Sequence, residues 1–225
     1  ALYFDSGPAQ GRRLCPDCPW PARGHPFHDR PVNIELINTG SELMLGRVLN
    51  THQQWLCRRL ADLGYVVDRQ VAVADQGPAI LGAVREALGR ADFIITTGGL
   101  GPTSDDVTRD LIASLLGRKL VRDDSIAARI EGFFAERQRP MPPSTLVQAL
   151  VPQGALVLPN AHGTAPGLAI AVNPTPFRPD CAASWLVLLP GPPRALPHTF
   201  TPRSVPSSPA HMPPVPSSLR PPTIN

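Results

Sequence analysis

The sequence lacks three features that would assign it to a class at once. It has four cysteines in 225 residues, too few for the disulfide framework of a secreted domain. No run approaches the roughly 20 apolar residues that a membrane-spanning helix needs, and the start of the sequence lacks the charged-then-apolar order of a signal peptide. We therefore expect a cytoplasmic protein with reduced thiols and no membrane partner.

Basic charge is scarce in the centre of the chain. Although the whole sequence has a formal net charge of +3, residues 32–180 contain 14 basic and 15 acidic residues. The positive charge therefore belongs to the two ends. A core that is close to neutral offers no basic surface to a nucleic acid, so we do not expect a nucleic acid partner.

The two ends of the chain differ in composition from its centre. Residues 197–225 contain nine of the 29 prolines and five serines without one acidic residue, a composition typical of disorder. Residues 1–31 also look irregular. We expect one domain at 32–196 with disordered or irregular segments on both sides, and the abrupt change after residue 196 is typical of a truncation or a frameshift.

Two cysteines and two histidines lie close together near the start of the chain. Cys15, Cys18, His25 and His28 are all residue types that bind zinc. Their spacing is too short for a zinc finger, whose central loop has about twelve residues. We therefore do not expect a zinc site there.

Apolar patterns with strand and helix periods alternate along the centre of the chain. This alternation predicts an α/β fold with a mostly parallel sheet that is covered by helices on both faces. The predicted strands are 32–38, 65–74, 93–97, 156–158, 168–172 and 185–189, and the predicted helices include 55–63, 80–88, 107–116 and 126–134.

The stretch at residues 97–108 carries the strongest chemical signal. A buried strand runs into Gly98, Gly99 and Gly101, and then into Asp105 and Asp106. Glycines allow main-chain N–H groups to approach an anion closely, which predicts a phosphate or pyrophosphate pocket. Because two carboxylates would repel a phosphate, we expect a divalent cation to mediate between them.

Helix capping is the competing interpretation of the polar residues in this stretch. One of the two acids is expected to cap the helix that we predict from Val107, and the other to act on the ligand. Thr103 and Ser104 could donate hydroxyl hydrogen bonds to a phosphate or cap the same helix.

Several sequence motifs follow one another along the centre of the chain: residues 39–43 with Gly46 and Asn50, 73–75, 97–108, 148–149, 160–167 and 189–193. In this order they resemble the MoaB/Mog family, whose fold is the molybdopterin-binding-like fold, and most closely its CinA branch, the competence/damage-inducible protein A group. The resemblance implies a three-layer α/β/α domain that binds a pterin pyrophosphate or an adenylated nucleotide near the glycine loop. Leu100 favours the CinA branch because molybdopterin enzymes more often have threonine there.

The resemblance implies three alternative functions. CinA-type domains are associated with hydrolysis of nucleotide pyrophosphates such as ADP-ribose, with magnesium, manganese or cobalt. The molybdenum-cofactor branch instead binds molybdopterin and can serve its adenylylation. Ala195 stands where the family usually has an acid, which leaves a catalytically inactive ligand-binding module as the third alternative. We do not expect the deamidase activity of full-length CinA proteins, and relatives that assemble suggest a homo-oligomer.

The resemblance also assigns roles to two carboxylates. Asp106 aligns with the acid that follows the glycine loop across the family, so we predict that it binds metal or acts as an acid or base. Asp75 would be its partner in holding a divalent cation, although a structural turn acid is an equal alternative. Magnesium prefers such oxygen ligands.

The remaining predicted ligand contacts lie in two loops. Gly40 and Glu42 follow the first strand, where ligands often bind in α/β sheets, although Glu42 could be an exposed loop acid. Asn160, Gly163 and Thr164 could contact the distal part of the ligand, although a glycine-rich turn would explain them equally well. We expect His162 to be a loop side chain.

Overall fold

The computed structural model describes residues 32–173, 175–178 and 182–191. The expectations for the two terminal segments, for the cysteines and histidines between residues 15 and 28, and for Ala195 lie outside the described residues.

The described chain forms one six-stranded sheet and one two-stranded sheet. The order in the larger sheet is β2-β1-β3-β8-β7-β6, in which β1, β2, β3 and β8 are parallel and β7 is antiparallel to both of its neighbours. β4 and β5 form the smaller antiparallel sheet. The strands are β1 (Ile34–Thr39), β2 (Arg69–Val73), β3 (Phe93–Thr97), β4 (Leu120–Arg122), β5 (Leu150–Pro152), β6 (Leu156–Leu158), β7 (Gly167–Val172) and β8 (Ser184–Leu189).

Helices connect the strands and cover the sheet. Side chains accept hydrogen bonds from main-chain N–H groups at two helix starts: Asn50 from Gln53 N, and Asp123 from the N–H groups of Ser125 and Ile126. Such caps define where a helix begins. The helices are α1 (Ser41–Met44), α2 (Thr51–Asp62), α3 (Gly77–Leu88), α4 (Thr108–Leu115) and α5 (Asp124–Glu136), with a 3₁₀ helix at Pro143–Ala149.

Apolar side chains fill both faces of the larger sheet. One cluster joins Ile34, Phe93 and other strand residues to Leu56 and Leu60 of α2. A second and larger cluster on the other face joins strand residues such as Ile94 to α3, α4 and α5. Burial on both faces explains the almost continuous apolar runs of the parallel strands. The predicted α/β class and the mostly parallel sheet are confirmed.

The boundaries differ from the sequence-based expectations at two elements. The strand predicted at 65–74 begins only at Arg69, because Tyr65 N bonds back to Leu60 O and closes the end of α2. The helix predicted from Val107 begins at Thr108. Among the described helices, none is long and apolar enough to cross a membrane.

Candidate functional site

The carboxyl ends of four parallel strands meet at one edge of the sheet. Thr39 of β1 pairs with Val73 of β2, and Thr97 of β3 pairs with both Asn38 and Leu189. The loop from β6 to β7 reaches the same edge because Leu168 pairs with Leu188. We call this side of the sheet the carboxyl edge, and it is where α/β sheets bind their ligands.

The glycine loop, residues 98–101, leaves no room for a side chain at Gly98 or Gly99. Gly98 and Gly99 have φ values of 102° and 68°, in the region that favours glycine. A Cβ on Gly98 would lie 2.4 Å from Thr39 Oγ1, and a Cβ on Gly99 would lie 2.0 Å from Thr108 Oγ1. The two glycines therefore let β1, β3 and the start of α4 come into direct contact.

Three consecutive N–H groups of the glycine loop have no acceptor in the described part of the chain. Gly98 N donates to Leu189 O at 3.0 Å, which corrects the expectation that this N–H would bind phosphate. The N–H groups of Gly99, Leu100 and Gly101 make no such bond. Successive unpaired N–H groups in a turn form an anion-binding concavity, so two of the three predicted glycine donors remain, together with Leu100.

Asp106 lies against this loop. Its Oδ2 accepts hydrogen bonds from Thr103 N at 3.0 Å and from Thr103 Oγ1. A Cβ on Gly101 would lie 2.3 Å from the same oxygen. The carboxylate is therefore in place beside the free N–H groups, whereas the Thr103 hydroxyl binds the acid rather than pointing to a phosphate.

Neither of the two predicted acids caps α4, which corrects that expectation. The N-cap residue is Val107, whose side chain makes no capping bond, and the acid in the first turn is Asp110. The loop forms its own turn, in which Asp106 N donates to Thr103 O at 3.1 Å. That turn places Asp105 and Asp106 ahead of the helix. Asp105 is exposed and accepts a hydrogen bond from Ser104 Oγ at 3.3 Å.

Asp75 joins two loops of the carboxyl edge. Its Oδ2 accepts a hydrogen bond from Ser41 N at 2.9 Å, and its own N–H donates to Ser41 Oγ at 3.3 Å. The structure records no bond between Asp75 and Asp106. No group of three or more His, Cys, Asp or Glu side chains within the described ranges could hold a metal ion. The cation site formed by these two acids therefore stays a prediction.

Glu42 and His52 lie near the end of β1. The Glu42 carboxylate folds back over Gly40, where a Cβ would lie 2.6 Å from Oε1. Burial lowers the pKa of His52, and the negative charge of Glu42 partly opposes that shift. The sequence analysis did not single out His52 because its place in the first turn of α2 carries no distinctive pattern.

The loop at residues 159–166 is held together by Asn160. Its Nδ2 donates to Ala165 O at 2.9 Å, and its Oδ1 accepts from His162 N at 3.0 Å. A Cβ on Gly163 would lie 2.9 Å from Asn160 Nδ2. These contacts support the interpretation of the loop as a glycine-rich turn, and the ligand contacts of Asn160, Gly163 and Thr164 stay predictions.

Comparison with known proteins agrees with this geometry. Residues 35–206 match the family model described as "Probable molybdopterin binding domain". The chain is 45% identical over 169 residues to a "Putative competence-damage inducible protein" of Geobacillus sp. strain WCH70, and 42% identical over 167 residues to a "CinA-like protein" of Akkermansia muciniphila. These matches cover 75% and 74% of this chain, which spans 38% of the length of each relative.

A solved structure supports the same assignment. The crystal structure of the protein CinA with unknown function from Thermoplasma acidophilum superposes with a TM-score of 0.63 at 31% identity, and the match covers 74% of this chain and 92% of that one. The chain thus has the fold of a domain of the molybdopterin-binding type. Within that class the chain belongs to the CinA family, as the sequence motifs predicted.

Proposed function

We propose that this chain binds a nucleotide or pterin pyrophosphate at the carboxyl edge. With a divalent cation it hydrolyses nucleotide pyrophosphates of the ADP-ribose type, and it acts in the cytoplasm. The observation that carries the proposal is the row of three N–H groups at Gly99, Leu100 and Gly101 without an acceptor in the described residues, beside the Asp106 carboxylate.

The free N–H groups suit a phosphate for two physical reasons. A hydrogen bond to a charged group contributes about 1.5–3 kcal/mol, more than a bond between neutral groups. The loop also leads into the eight-residue helix α4 at Thr108, and the positive end of a helix dipole favours an anion. Gly99, Leu100 and Gly101 would therefore hold the pyrophosphate through its oxygens.

The residues present fit a cation that arrives with the pyrophosphate. Magnesium is commonly held by one or two carboxylates together with substrate phosphates, without a complete protein cage. Asp106 would supply such an oxygen next to the loop after β3, and Asp75 a second one from the end of β2, with β1 between the two strands. When bound, the cation would neutralise phosphate charge and lower the pKa of a water molecule.

The proposed reaction is hydrolysis of one bridging P–O bond. The water oxygen forms a bond to phosphorus, the bridging P–O bond breaks, and two monophosphates leave. The N–H groups of the glycine loop would stabilise the negative charge that grows on the phosphate oxygens. Asp106, through the oxygen that does not bind Thr103, would accept the proton of the attacking water.

The direct test measures AMP release from ADP-ribose with magnesium, manganese or cobalt. We expect activity in the unmodified protein and a loss of at least about 100-fold in Asp106→Asn. Asp105→Asn is the matched control, because this neighbouring acid is exposed and its carboxylate accepts a hydrogen bond from Ser104 Oγ and from no other described residue, so the activity of this variant should stay near that of the parent. Absence of AMP release by the parent with all three metals would refute hydrolysis.

Molybdopterin binding with adenylyl transfer is the second candidate, and the description of the matching family favours it. The glycine loop would then hold the terminal phosphate of the pterin ligand. Tight binding of molybdopterin, with no cleavage of ADP-ribose, would support this function over hydrolysis.

An inactive ligand-binding module is the third candidate. It is favoured because Asp106 Oδ2 and Asp75 Oδ2 already accept hydrogen bonds from Thr103 and Ser41. In that case Asp106→Asn would leave ligand affinity nearly unchanged, and the parent protein would show no turnover to lose.

A further inference from the structure

An exposed apolar segment follows the first loop of the carboxyl edge. Seven large apolar side chains are exposed among the described residues, and four of them fall between residues 44 and 49. Contiguous exposed apolar surface commonly marks a binding site. We call residues 44–49 the apolar segment; its exposed members are Met44 (57%), Leu45 (64%), Val48 (54%) and Leu49 (85%).

The apolar segment begins close to the glycine loop. Thr39, the last residue of β1, would contact a Cβ on Gly98, and only one helical turn separates Thr39 from Met44. Such a turn advances the chain by about 6 Å. The hydrogen bonds between Asp75 and Ser41 fix the start of this turn, so the segment begins at the carboxyl edge, the edge that also carries the proposed phosphate site.

The backbone of the segment is also defined by hydrogen bonds. Gly46 N donates to Leu43 O at 3.1 Å, and Arg47 N donates to Glu42 O at 3.0 Å. The four apolar side chains therefore project from a formed turn of the chain.

The rest of the carboxyl edge presents few exposed apolar side chains that could contact a planar ring. Thr39, Thr103 and Asp106 supply polar side chains around the glycine loop, and the other three exposed large apolar residues lie elsewhere in the described chain. Val66 precedes β2, Val121 lies in the small second sheet, and Leu156 begins β6. Ligand sites usually combine a few polar groups with apolar surface, and among the exposed large apolar side chains of the described residues the apolar segment holds the one cluster that follows a strand of the carboxyl edge.

We propose that the apolar segment binds the planar ring, adenine or pterin, of the ligand whose pyrophosphate lies on the N–H groups of residues 99–101. This inference rests on the proposed function and assigns the second half of the same ligand. The phosphate end is recognised by hydrogen bonds from the main chain, and the ring end by apolar side chains of residues 44–49.

The experiment compares two probes that differ only in the ring. AMP and ribose 5-phosphate share the sugar and the phosphate, and neither contains a pyrophosphate bond to hydrolyse. Titration calorimetry should show tighter binding of AMP. In Leu49→Ser and Leu45→Ser the affinity for AMP should fall by up to about tenfold each, the equivalent of one buried apolar side chain. Affinity for ribose 5-phosphate should not change.

Val66→Ser is the matched control, since Val66 is 65% exposed and lies before the amino end of β2. It should leave both affinities unchanged. Equal binding of AMP and ribose 5-phosphate by the parent protein would overturn the inference but leave phosphate binding intact. No binding of either probe would count against the proposed function itself.

Two further outcomes would also overturn the inference. Equal weakening of both probes in Leu49→Ser would show that the segment shapes the phosphate site instead of binding a ring. A lower mass of Leu45→Ser or Leu49→Ser in sedimentation, relative to the parent, would show that the segment is a contact between two copies of the chain.

Discussion

The two edges of the larger sheet differ in whether their main-chain N–H groups have hydrogen-bond acceptors. At the amino edge, Asp68 Oδ2 accepts a hydrogen bond from Ile34 N at 2.7 Å, and Asp92 Oδ2 accepts one from Asn33 N at 3.0 Å. Arg178 Nη1 donates to Asp92 Oδ1 at 2.8 Å. At the carboxyl edge, three successive N–H groups have no acceptor in the described residues.

An ion pair between a buried carboxylate and a half-buried guanidinium strengthens the same contrast. Glu35, on β1, binds Arg90 through two hydrogen bonds, Nε to Oε1 at 2.5 Å and Nη2 to Oε2 at 3.0 Å. The hydrogen bond to Glu35 raises the pKa of Arg90. Polar groups near the amino edge are therefore paired within the fold. At the carboxyl edge Asp75 and Asp106 are also hydrogen-bonded, and the difference lies in the three N–H donors of residues 99–101, which have no acceptor in the described residues. The contrast predicts that substitutions at the amino edge mainly change the free energy of unfolding, and that substitutions at the carboxyl edge change ligand affinity.

The largest expected effect is on stability, from Arg90→Met. The Glu35 carboxylate, only 2% exposed, would lose its cation. Leaving a buried charged acceptor unpaired costs about 3 kcal/mol, the low end of the range for buried pairs, because Arg90 itself is 35% exposed to screening water. Urea unfolding measures this cost, and the affinity of the folded protein for AMP should not change.

Asp62→Ala is the control for that substitution. Asp62 pairs with Arg59 at 3.8 Å on the surface, and exposed pairs contribute about 0–1 kcal/mol. A similar loss of stability in both variants would contradict the special role of the amino edge.

The next effect is expected at the glycine loop, from Gly99→Ala. The positive φ of Gly99 costs another residue about 1–2 kcal/mol, and the added Cβ would collide with the buried Thr108 side chain. We expect a moderate loss of stability in urea unfolding together with loss of measurable AMP binding, because the free N–H groups would be displaced.

Gly82→Ala is the matched control for the glycine loop. Gly82 lies within α3 with open space around its Cβ position, so alanine should raise stability by about 0.5–1 kcal/mol and leave AMP binding unchanged. If Gly99→Ala bound AMP as well as Gly82→Ala does, the glycine loop would not be the phosphate site.

The smallest expected effect is on stability, from a substitution at a helix cap that lies at neither edge. A hydrogen bond from Ser125 is the largest cause that lowers the pKa of Asp123, which caps α5. A lowered pKa in the folded state means that Asp123 stabilises the protein above the pKa of the unfolded chain, about 3.9, and that this contribution disappears as the pH falls through the folded pKa.

Asp123→Ala should therefore lose about 1 kcal/mol at neutral pH. The difference from the parent should shrink below about pH 4. Urea unfolding at a series of pH values measures it, and AMP affinity at neutral pH should not change. A constant difference down to acidic pH would contradict the ionised cap.

The sequence predicted most of the larger sheet because each strand carries its own signal. Phe93–Thr97 and Leu156–Leu158 were predicted at the residues where the structure has them. The short strands β4 and β5 were missed. Each has three residues, and their ladder joins positions about 30 residues apart, which no local pattern reveals.

The tight glycine loop was predicted from the sequence, but its hydrogen bonds were not. The glycine pattern at 98–101 correctly indicated a tight loop, since a positive φ has a local cause. The pattern could not show that Gly98 N donates to Leu189 O, because that partner comes from a strand about 90 residues later. The same limit hid the bonds between Asp75 and Ser41.

The bonds of Asp75 and Asp106 have a consequence for the entropy of binding. Asp75 fixes the start of α1 through Ser41, and Asp106 fixes the glycine loop through Thr103. Ordering one residue of a flexible loop costs about 1–2 kcal/mol, and here that cost falls on folding instead of binding. The proposed ligand would therefore meet preorganised loops, and less of the free energy of its contacts would be spent on ordering the protein.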